Sequence, residues 1–202
     1  VIRGLEANKI LLVVDGIRLN NAIFRGGHLQ NVLRIDQDIL NRAEILFGNG
    51  SVIYGSDALG GVISFSTKNP ILSPVKNKTF FTTSGYGRFS SVNEEKAGHI
   101  DFNVGLEKVA FLTSFTYNDI GDLNQGSSDG GLDTLWDRKF VQGRINGVDT
   151  MLVNDDVNTQ SPSGYYQYDI LQKIMFKQSK NITHMLNFHF SNTNDIPRYD
   201  RL

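Results

Sequence analysis

The feature that most limits the fold of this chain is a set of long segments in which apolar and polar residues alternate. In the clearest one, AGHIDFNVGLE at residues 97–107, the even positions from Ile100 to Leu106 are apolar and the odd positions are small or polar. Residues 109–119, 164–179 and 182–192 alternate similarly, and residues 78–91 do so more weakly. Side chains two residues apart on a strand share one face of its sheet. The pattern therefore predicts about five β-strands, each with one apolar and one polar face.

The length of these segments and of their connections favours a particular kind of sheet. Residues 164–179 exceed the length of about 5–6 residues that is commonest in soluble strands and reach the roughly 9–11 that cross a bilayer. Short connections at 107–109 and 179–181 contrast with a very long one at 120–163. Short turns at one end and long loops at the other are typical of outer-membrane β-barrels. A soluble β-sandwich with one solvated face alternates in the same way and remains the alternative.

Composition excludes several classes of function. The chain has 20 Lys and Arg against 21 Asp and Glu, without a basic cluster, so no nucleic-acid partner is predicted. It has no cysteine, which excludes disulfides and thiolate metal sites. We find neither a Ser/His/Asp set nor a pair of catalytic carboxylates. We therefore predict that the protein is not an enzyme and has no cofactor or metal site.

The first third of the chain has a different pattern. KILLVVDGIRLN at residues 9–20 predicts a β-hairpin that turns at Asp15 and the glycine after it. DQDILNRAEILFG then predicts a short helix with Asp36 or Asp38 near its start, followed by a strand at 44–47. A further strand is expected at 62–67. Together these elements predict a small mixed α/β unit.

The glycine-rich stretch GNGSVIYGSDALGGVISFSTK, at residues 48–68, raises the question of a nucleotide site. A dinucleotide fingerprint needs a third glycine where this chain has Ile53, and a phosphate-binding loop needs a lysine where it has Asp57. Nucleotide binding is therefore not predicted. We assign the glycines structural roles. Gly48 ends a strand, Gly55 permits a sharp corner, and Gly60 and Gly61 permit a close backbone approach.

The same stretch, extended to NRAEILFGNGSVIYGSDALGGVISFSTK, resembles the C-terminal end of the plug domain of TonB-dependent outer-membrane receptors. The family pattern has an Arg-x-Glu strand, a glycine-rich turn, a YG pair and a GGVI segment. It is matched here by Arg42, Glu44, Gly48, Tyr54, Gly55, Gly60, Gly61, Val62 and Ile63. Residues 3–4 and VVDGIRLNN at residues 13–21 also resemble earlier plug segments. Asn49 stands where the family usually has proline, and we expect a looser turn there.

The resemblance implies a fold, a location and partners. It implies the C-terminal part of a mixed α/β plug domain at residues 1–69, followed at 70–202 by antiparallel transmembrane strands of a partial β-barrel. A complete barrel would have about 22 strands. The expected location is the bacterial outer membrane, with lipid around the barrel. The expected partners are a small-molecule ligand and the energy-transducing protein TonB, which would engage a segment preceding Val1.

The function that the resemblance implies is active transport of a scarce nutrient, foremost an iron-siderophore or haem. A receptor for cobalamin or an oligosaccharide is one alternative. A porin or adhesin barrel without energised transport is another, and a soluble β-rich binding domain is a third.

Two groups of residues are candidate sites under this resemblance. The loop at residues 24–31 offers Arg25, His28 and Gln30 to a ligand at the plug apex, because Arg suits carboxylate or phosphate groups and His can meet haem iron. Arg42 and Glu44 are candidates for contact between plug and barrel wall, with a solvated ion pair as the alternative. The polar strand face is expected to contact the plug through His99, Asp101, Asn103, Gln167, Asp169 and Lys173.

Overall fold

The computed structural model describes residues 10–19, 35–47, 50–55, 58, 60–124, 126 and 139–194. Most of these residues lie in β-strands, and the helix found among them, α1, is the short segment Gly50–Tyr54. In this part of the chain no helix has the length and apolar character needed to cross a bilayer. The helix content of the described residues is low compared with the predicted mixed α/β plug.

A four-stranded sheet is formed by β1 (Ile10–Val14), β2 (Ile17–Arg18), β3 (Leu40–Leu46) and β4 (Gly61–Thr67). Its order is β2-β1-β4-β3, with β1 parallel to β4 and the other neighbours antiparallel. Its small core consists of Leu11 and Val13 of β1, Val62 of β4, and Ala58, which precedes β4. The alternation of parallel and antiparallel pairs makes this a mixed sheet.

The turn between β1 and β2 has the geometry that its sequence predicts. Asp15 has a φ of 47° and Gly16 a φ of 82°. Positive φ at both central residues is the requirement of the tight turn that Asp-Gly favours between antiparallel strands. The hairpin pairs Val13 with Arg18, which confirms the prediction.

The helix predicted after Asp36 is wrong. The Asp36 carboxylate accepts a hydrogen bond from the Asp38 amide at 2.9 Å, which closes a turn. The Leu40 amide donates to the Gln37 carbonyl at 3.2 Å, and β3 begins at Leu40. Because β4 satisfies the backbone groups of β3, pairing with a neighbouring strand prevails over the local preference for a helix start.

A five-stranded sheet contains the long alternating segments. Its strands are β5 (Phe80–Ser90), β6 (Glu95–Gly105), β7 (Val109–Ile120), β12 (Tyr165–Lys177) and β13 (Thr183–Thr193), in the order β13-β12-β7-β6-β5. These are the strands that the alternation predicts. Within the described residues the sheet does not close into a barrel, since β5 and β13 stand at its two ends.

This sheet buries its polar face and exposes its apolar face, which is the reverse of the arrangement in a soluble protein. On β6 the small and polar residues Ala97, His99, Asp101 and Asn103 are buried, whereas the apolar Ile100 is 50% exposed. The same inversion is found on β7 and β12, where Ser114, Thr116, Gln167, Asp169 and Lys173 are buried and Phe111, Phe115, Tyr117 and Phe176 are exposed. Water does not favour such a surface, and a lipid environment does.

The connection between β7 and β12 contains more structure than the single long loop that the sequence predicts. β8 (Leu123–Asn124) pairs with β11 (Thr159–Gln160), and β9 (Phe140–Ile145) forms a hairpin with β10 (Val148–Val153). That hairpin turns at Asn146 and Gly147, which have φ values of 52° and 82°. Asn-Gly is a strong hairpin signal, and it could have predicted this element from the sequence.

The chain divides into two compact units. The first comprises the described residues of Val1–Thr82, Phe102–Ser114 and Leu171–Ser191, and the second those of Thr83–Asp101, Phe115–Ile170 and Asn192–Leu202.

Candidate functional site

In the first unit, the carboxylate of Asp15 joins the two sheets. It accepts hydrogen bonds from the Thr67 amide at 2.9 Å and the Thr67 hydroxyl at 2.7 Å, at the end of β4. It also lies 3.0 Å from the Lys173 ammonium on β12 and accepts a 2.9 Å bond from the Asn187 amide group on β13. One side chain in the tight turn of the four-stranded sheet therefore contacts two strands of the five-stranded sheet.

Lys173 is the buried cation of this site. The residue is 2% exposed, because the alternation of β12 directs it to the buried polar face. Its ammonium also donates to the Asn69 side-chain oxygen at 3.1 Å. A buried ammonium is costly unless it is paired and hydrogen-bonded. Asp15 and Asn69 together supply that pairing.

The protonation state of Asp15 follows from these contacts. Burial raises the pKa of its carboxyl, but hydrogen bonds from Thr67 and the charge and hydrogen bond of Lys173 outweigh burial, so the pKa lies below its ordinary value. A lowered pKa in the folded state stabilises that state above the unfolded pKa, and the contribution is lost only as pH falls through the lowered value. The Asp15 contacts are therefore fully formed at neutral pH.

An apolar contact joins the same two sheets. Ile39, in the turn before β3, is buried against Leu112 of β7 and Leu171 of β12. Its carbonyl accepts a 2.8 Å hydrogen bond from the Lys68 amide, which fixes the turn beside the end of β4. The four-stranded sheet is thus attached by a polar contact at Asp15 and an apolar one at Ile39.

The segment that follows β4 lies along β6. The Ile71 amide donates to the Asn103 side-chain oxygen at 2.8 Å, and the Asn103 amide group donates back to the Ile71 carbonyl at 3.0 Å. The Ser73 amide donates to the Leu106 carbonyl at 3.0 Å. A β-carbon at Gly105 would overlap the Ile71 carbonyl oxygen, so this approach requires glycine.

In the second unit, buried polar side chains join three neighbouring strands. His99 lies 2.8 Å from the Thr116 hydroxyl through Nδ1 and 3.0 Å from the Asp101 carboxylate through Nε2. The Ser84 hydroxyl donates to the same carboxylate at 2.7 Å, and the Tyr86 ring stacks on the imidazole at 5.8 Å. Through these contacts the cluster links β5, β6 and β7 on the buried polar face of the sheet.

Asp122 closes the base of the long connection in the second unit. Its carboxylate accepts hydrogen bonds from the amides of Ser163 at 2.7 Å and Gly164 at 2.8 Å. Burial raises the pKa of Asp122, but hydrogen bonds from Ser161, Ser163 and Gly164 outweigh it, and the pKa lies below its ordinary value. The two ends of the connection are therefore held together by an ionised carboxylate.

Removal of this carboxylate is expected to open the base of the connection. Asp122→Ala should reduce hydrogen-exchange protection of the Ser163 and Gly164 amides, at a cost of about 1–3 kcal/mol for the bonds lost. Hydrogen exchange measured on the folded protein tests this. Asp149→Ala is the control, because Asp149 is an exposed residue of β10 paired with Arg144 at the surface. Unchanged protection in Asp122→Ala would contradict the assigned role.

The structure describes some of the site residues predicted from the sequence and not others. Arg25, His28, Gln30 and Gly48 lie outside the described residues, so their roles stay predictions. Arg42 and Glu44 lie on β3, 3.4 Å from each other, with side chains 62% and 44% exposed. Their contact with a barrel wall likewise stays a prediction.

The glycines of the recognised motif have distinct geometries. Gly55 has a φ of 90°, and a β-carbon there would lie 3.7 Å from the Arg18 guanidinium. Gly61 has a φ of 137°, and a β-carbon there would lie 2.9 Å from the Leu46 carbonyl oxygen. Gly60 is buried at the start of β4. At Gly61 both the backbone conformation and the available space require glycine.

Sequence reasoning missed the role of Asp15. The Asp-Gly pair was interpreted as a turn, and a carboxylate at such a turn was not considered as a contact. The presence of Lys173 among the residues of the polar strand face was the available signal, because a buried lysine implies a carboxylate partner.

Comparison with known proteins supports the resemblance that the sequence indicates. Residues 1–62 match the family described as TonB-dependent Receptor Plug Domain. A hemin receptor of Yersinia pestis is 34% identical over 137 residues, which are 63% of this chain and 18% of that protein. The Vitamin B12 transporter BtuB of Vibrio vulnificus (strain CMCP6) is 44% identical over 66 residues, 33% of this chain and 10% of that protein. The chain thus spans less than a fifth of the length of these relatives.

The fold is shared with a solved receptor. The siderophore receptor PirA from Acinetobacter baumannii aligns with 95% of this chain and 25% of its own, with a TM-score of 0.57 and 18% identity. At this identity the likeness concerns the fold. The plug match over residues 1–62, the relatives and the shared fold together support a fragment of a TonB-dependent receptor.

Proposed function

We propose that this chain is part of an outer-membrane receptor that imports a ferric siderophore or haem with energy supplied through TonB. The observation that carries the proposal is the attachment of a plug-like sheet to the polar face of a wall-like sheet through Asp15 and Lys173. The similarity to a hemin receptor and the fold of a siderophore receptor support the cargo class. The exposed apolar face of the five-stranded sheet supports a location in lipid.

The geometry suits a mechanism in which a domain moves and no substrate bond is broken. The polar contacts between the sheets can be exchanged for contacts with water. Giving up a neutral hydrogen bond costs about 0.5–1.5 kcal/mol net, and giving up one to a charged group costs about 1.5–3 kcal/mol. The strands within the four-stranded sheet are paired through continuous backbone ladders, such as Ile10 to Val14 of β1 with β4. A pull on this sheet would therefore separate it from the wall before its own strands separate.

Within this proposal, residues 1–69 form part of the plug and residues 70–202 the first part of the wall. Arg25, His28 and Gln30 contact the ligand at the plug apex. Arg25 would bind an acidic group of a siderophore or a haem propionate, and His28 would approach haem iron. Arg42 and Glu44 would meet charged groups of the wall that lie outside the described contacts.

Uptake in living cells tests the proposal. The complete receptor is expressed in a bacterial strain without its own siderophore and haem receptors, and iron is supplied only as haem or as a ferric siderophore. We expect receptor-dependent growth on one of these sources, and loss of uptake when TonB is deleted or the proton gradient is collapsed. Surface binding of the ligand should remain. Uptake that persists without TonB would indicate a passive porin instead.

Cobalamin is the second candidate cargo. The 44% identity to a Vitamin B12 transporter over 66 residues favours it. Accumulation of labelled cobalamin in the same strain measures this directly. TonB-dependent accumulation of cobalamin, without growth on either iron source, would replace the iron proposal.

A further inference from the structure

Among the polar residues described between the two sheets, Asp15 and Lys173 form an ion pair in which the buried charge of Lys173 is neutralised by Asp15. Thr67 belongs to the same sheet as Asp15, so its two hydrogen bonds orient the carboxylate without joining the sheets. Asn187 is neutral and lies on the end strand β13. Lys173 is charged, 2% exposed and 3.0 Å from the carboxylate. Removing the carboxylate deprives this buried charge of its counter-ion.

We infer that Asp15 and Lys173 form a latch that keeps the four-stranded sheet seated on the five-stranded sheet in the absence of ligand and energy. The inference rests on the proposed function and names the residues that regulate passage through it. When the latch is closed, burial strengthens the attraction between the charges. Separation requires water to reach Lys173, and once water has entered it solvates both charges. The ion pair is therefore dehydrated in the seated arrangement and hydrated in the released one, and the sheet passes from one to the other when water enters.

The surrounding contacts favour this pair over the one predicted from the sequence. Arg42 and Glu44 are exposed on β3 and paired with each other, and an exposed pair contributes little to holding two parts together. The Asp15 carboxylate is oriented by Thr67, and the Lys173 ammonium is held by Asn69. Oriented partners lose little freedom when they pair, which makes the contact specific in position.

The test measures leakage through the complete receptor, without ligand and in cells that lack TonB. The variants are Asp15→Asn and Lys173→Met. Asparagine tolerates positive φ, so Asp15→Asn keeps the turn and an acceptor for the Thr67 amide. It removes the charge and leaves one acceptor oxygen in place of two. Arg144→Met and Asp149→Asn are the controls, because they remove the charges of an exposed ion pair in the hairpin of β9 and β10, away from the contact between the two sheets. Entry of a large polar antibiotic that normally cannot pass the outer membrane is the readout, with heat-modifiable mobility as the measure of assembly.

We expect leakage to rise about tenfold or more in Asp15→Asn and in Lys173→Met, since each leaves one member of a buried pair unmatched. The control variants should leak like the unchanged receptor. The double variant Asp15→Asn with Lys173→Met should leak less than the sum of the single effects, because the two residues act on each other.

Three results would overturn the latch. These are an assembled Asp15→Asn receptor without added leakage, equal leakage from the Arg144 and Asp149 controls, and loss of assembly in Asp15→Asn. The last would mean that Asp15 is needed to build the protein rather than to seat the sheet. Failure of the proposed function is distinguishable, because leakage is measured without TonB and uptake with it. If the Asp15→Asn receptor showed normal TonB-dependent uptake and no leakage, the latch would be excluded and the proposed transport function would stand.

Discussion

Ile100→Arg is expected to remove most of the assembled receptor from the outer membrane. Ile100 is the central residue of β6, and its side chain lies on the apolar face of the five-stranded sheet. On the proposed location this face meets lipid. An arginine near the middle of the bilayer costs a transmembrane strand about 2–4 kcal/mol, a large part of the stability of a typical fold.

The chain offers a closely matched control. Ile145, at the end of β9, is 53% exposed, against 50% for Ile100. It lies in the hairpin of the long connection, which on the proposed location projects into water. Ile145→Arg should therefore assemble normally, and so should Ile100→Leu, which keeps an apolar side chain. The amount of heat-modifiable receptor in outer-membrane fractions measures all three variants.

The comparison also discriminates between a membrane sheet and the soluble β-sandwich. If Ile100→Arg assembled as well as Ile145→Arg, the exposed apolar face would not lie in lipid. Another protein surface would then have to cover this face, because an apolar surface of this size is unfavourable in water. The burial of the opposite, polar face would still need an explanation, and the attachment of the four-stranded sheet to that face would supply it.

The strands of the five-stranded sheet could be predicted because the information that defines them is local. Alternation along each segment fixes both the strand and the face of every side chain, as for His99 and Ile100. The same holds for the turn at Asp15 and Gly16, where two residues determine the backbone. Reversed burial could not be read from alternation alone, since the pattern does not say which face meets solvent.

The elements that sequence reasoning missed depend on partners far away in the chain. The segment after Asp36 has the start signal of a helix, but β4 supplies a strand partner and β3 forms instead. The pairing of Ile10 with Gly61 in parallel strands likewise has no local signature. The contact between Asp15 and Asn187 joins residues 172 positions apart. Arg42 and Glu44 attracted attention because they fit a motif, and the described contact between the sheets lies elsewhere.

Gly105→Ala is expected to lower the apparent melting temperature of the complete receptor and the amount that assembles. A β-carbon at this position would overlap the Ile71 carbonyl oxygen and would lie 2.9 Å from the Ser73 amide nitrogen. Both are backbone atoms, so the overlap cannot be relieved by a side-chain rotation. Overpacking of this kind costs about 1–3 kcal/mol.

The displacement should also break the hydrogen bonds that hold this segment to β6. Asn103 exchanges two hydrogen bonds with the backbone of Ile71, and the Ser73 amide bonds to the Leu106 carbonyl. Each lost bond adds about 1 kcal/mol. Because this segment connects the four-stranded sheet to β5, its displacement should also loosen the contact at Asp15.

Gly98→Ala is the control for this prediction, because Gly98 lies on the same strand and a β-carbon there would have nothing within 4 Å. Its melting temperature should stay close to that of the unchanged receptor, measured in the same detergent. A second variant identifies the cause. If Gly105→Ala acts by displacing the segment, Asn103→Leu should destabilise the unchanged receptor but add little to Gly105→Ala, because the bonds are already broken. Full additivity would mean that alanine at this position strains β6 itself and leaves the segment in place.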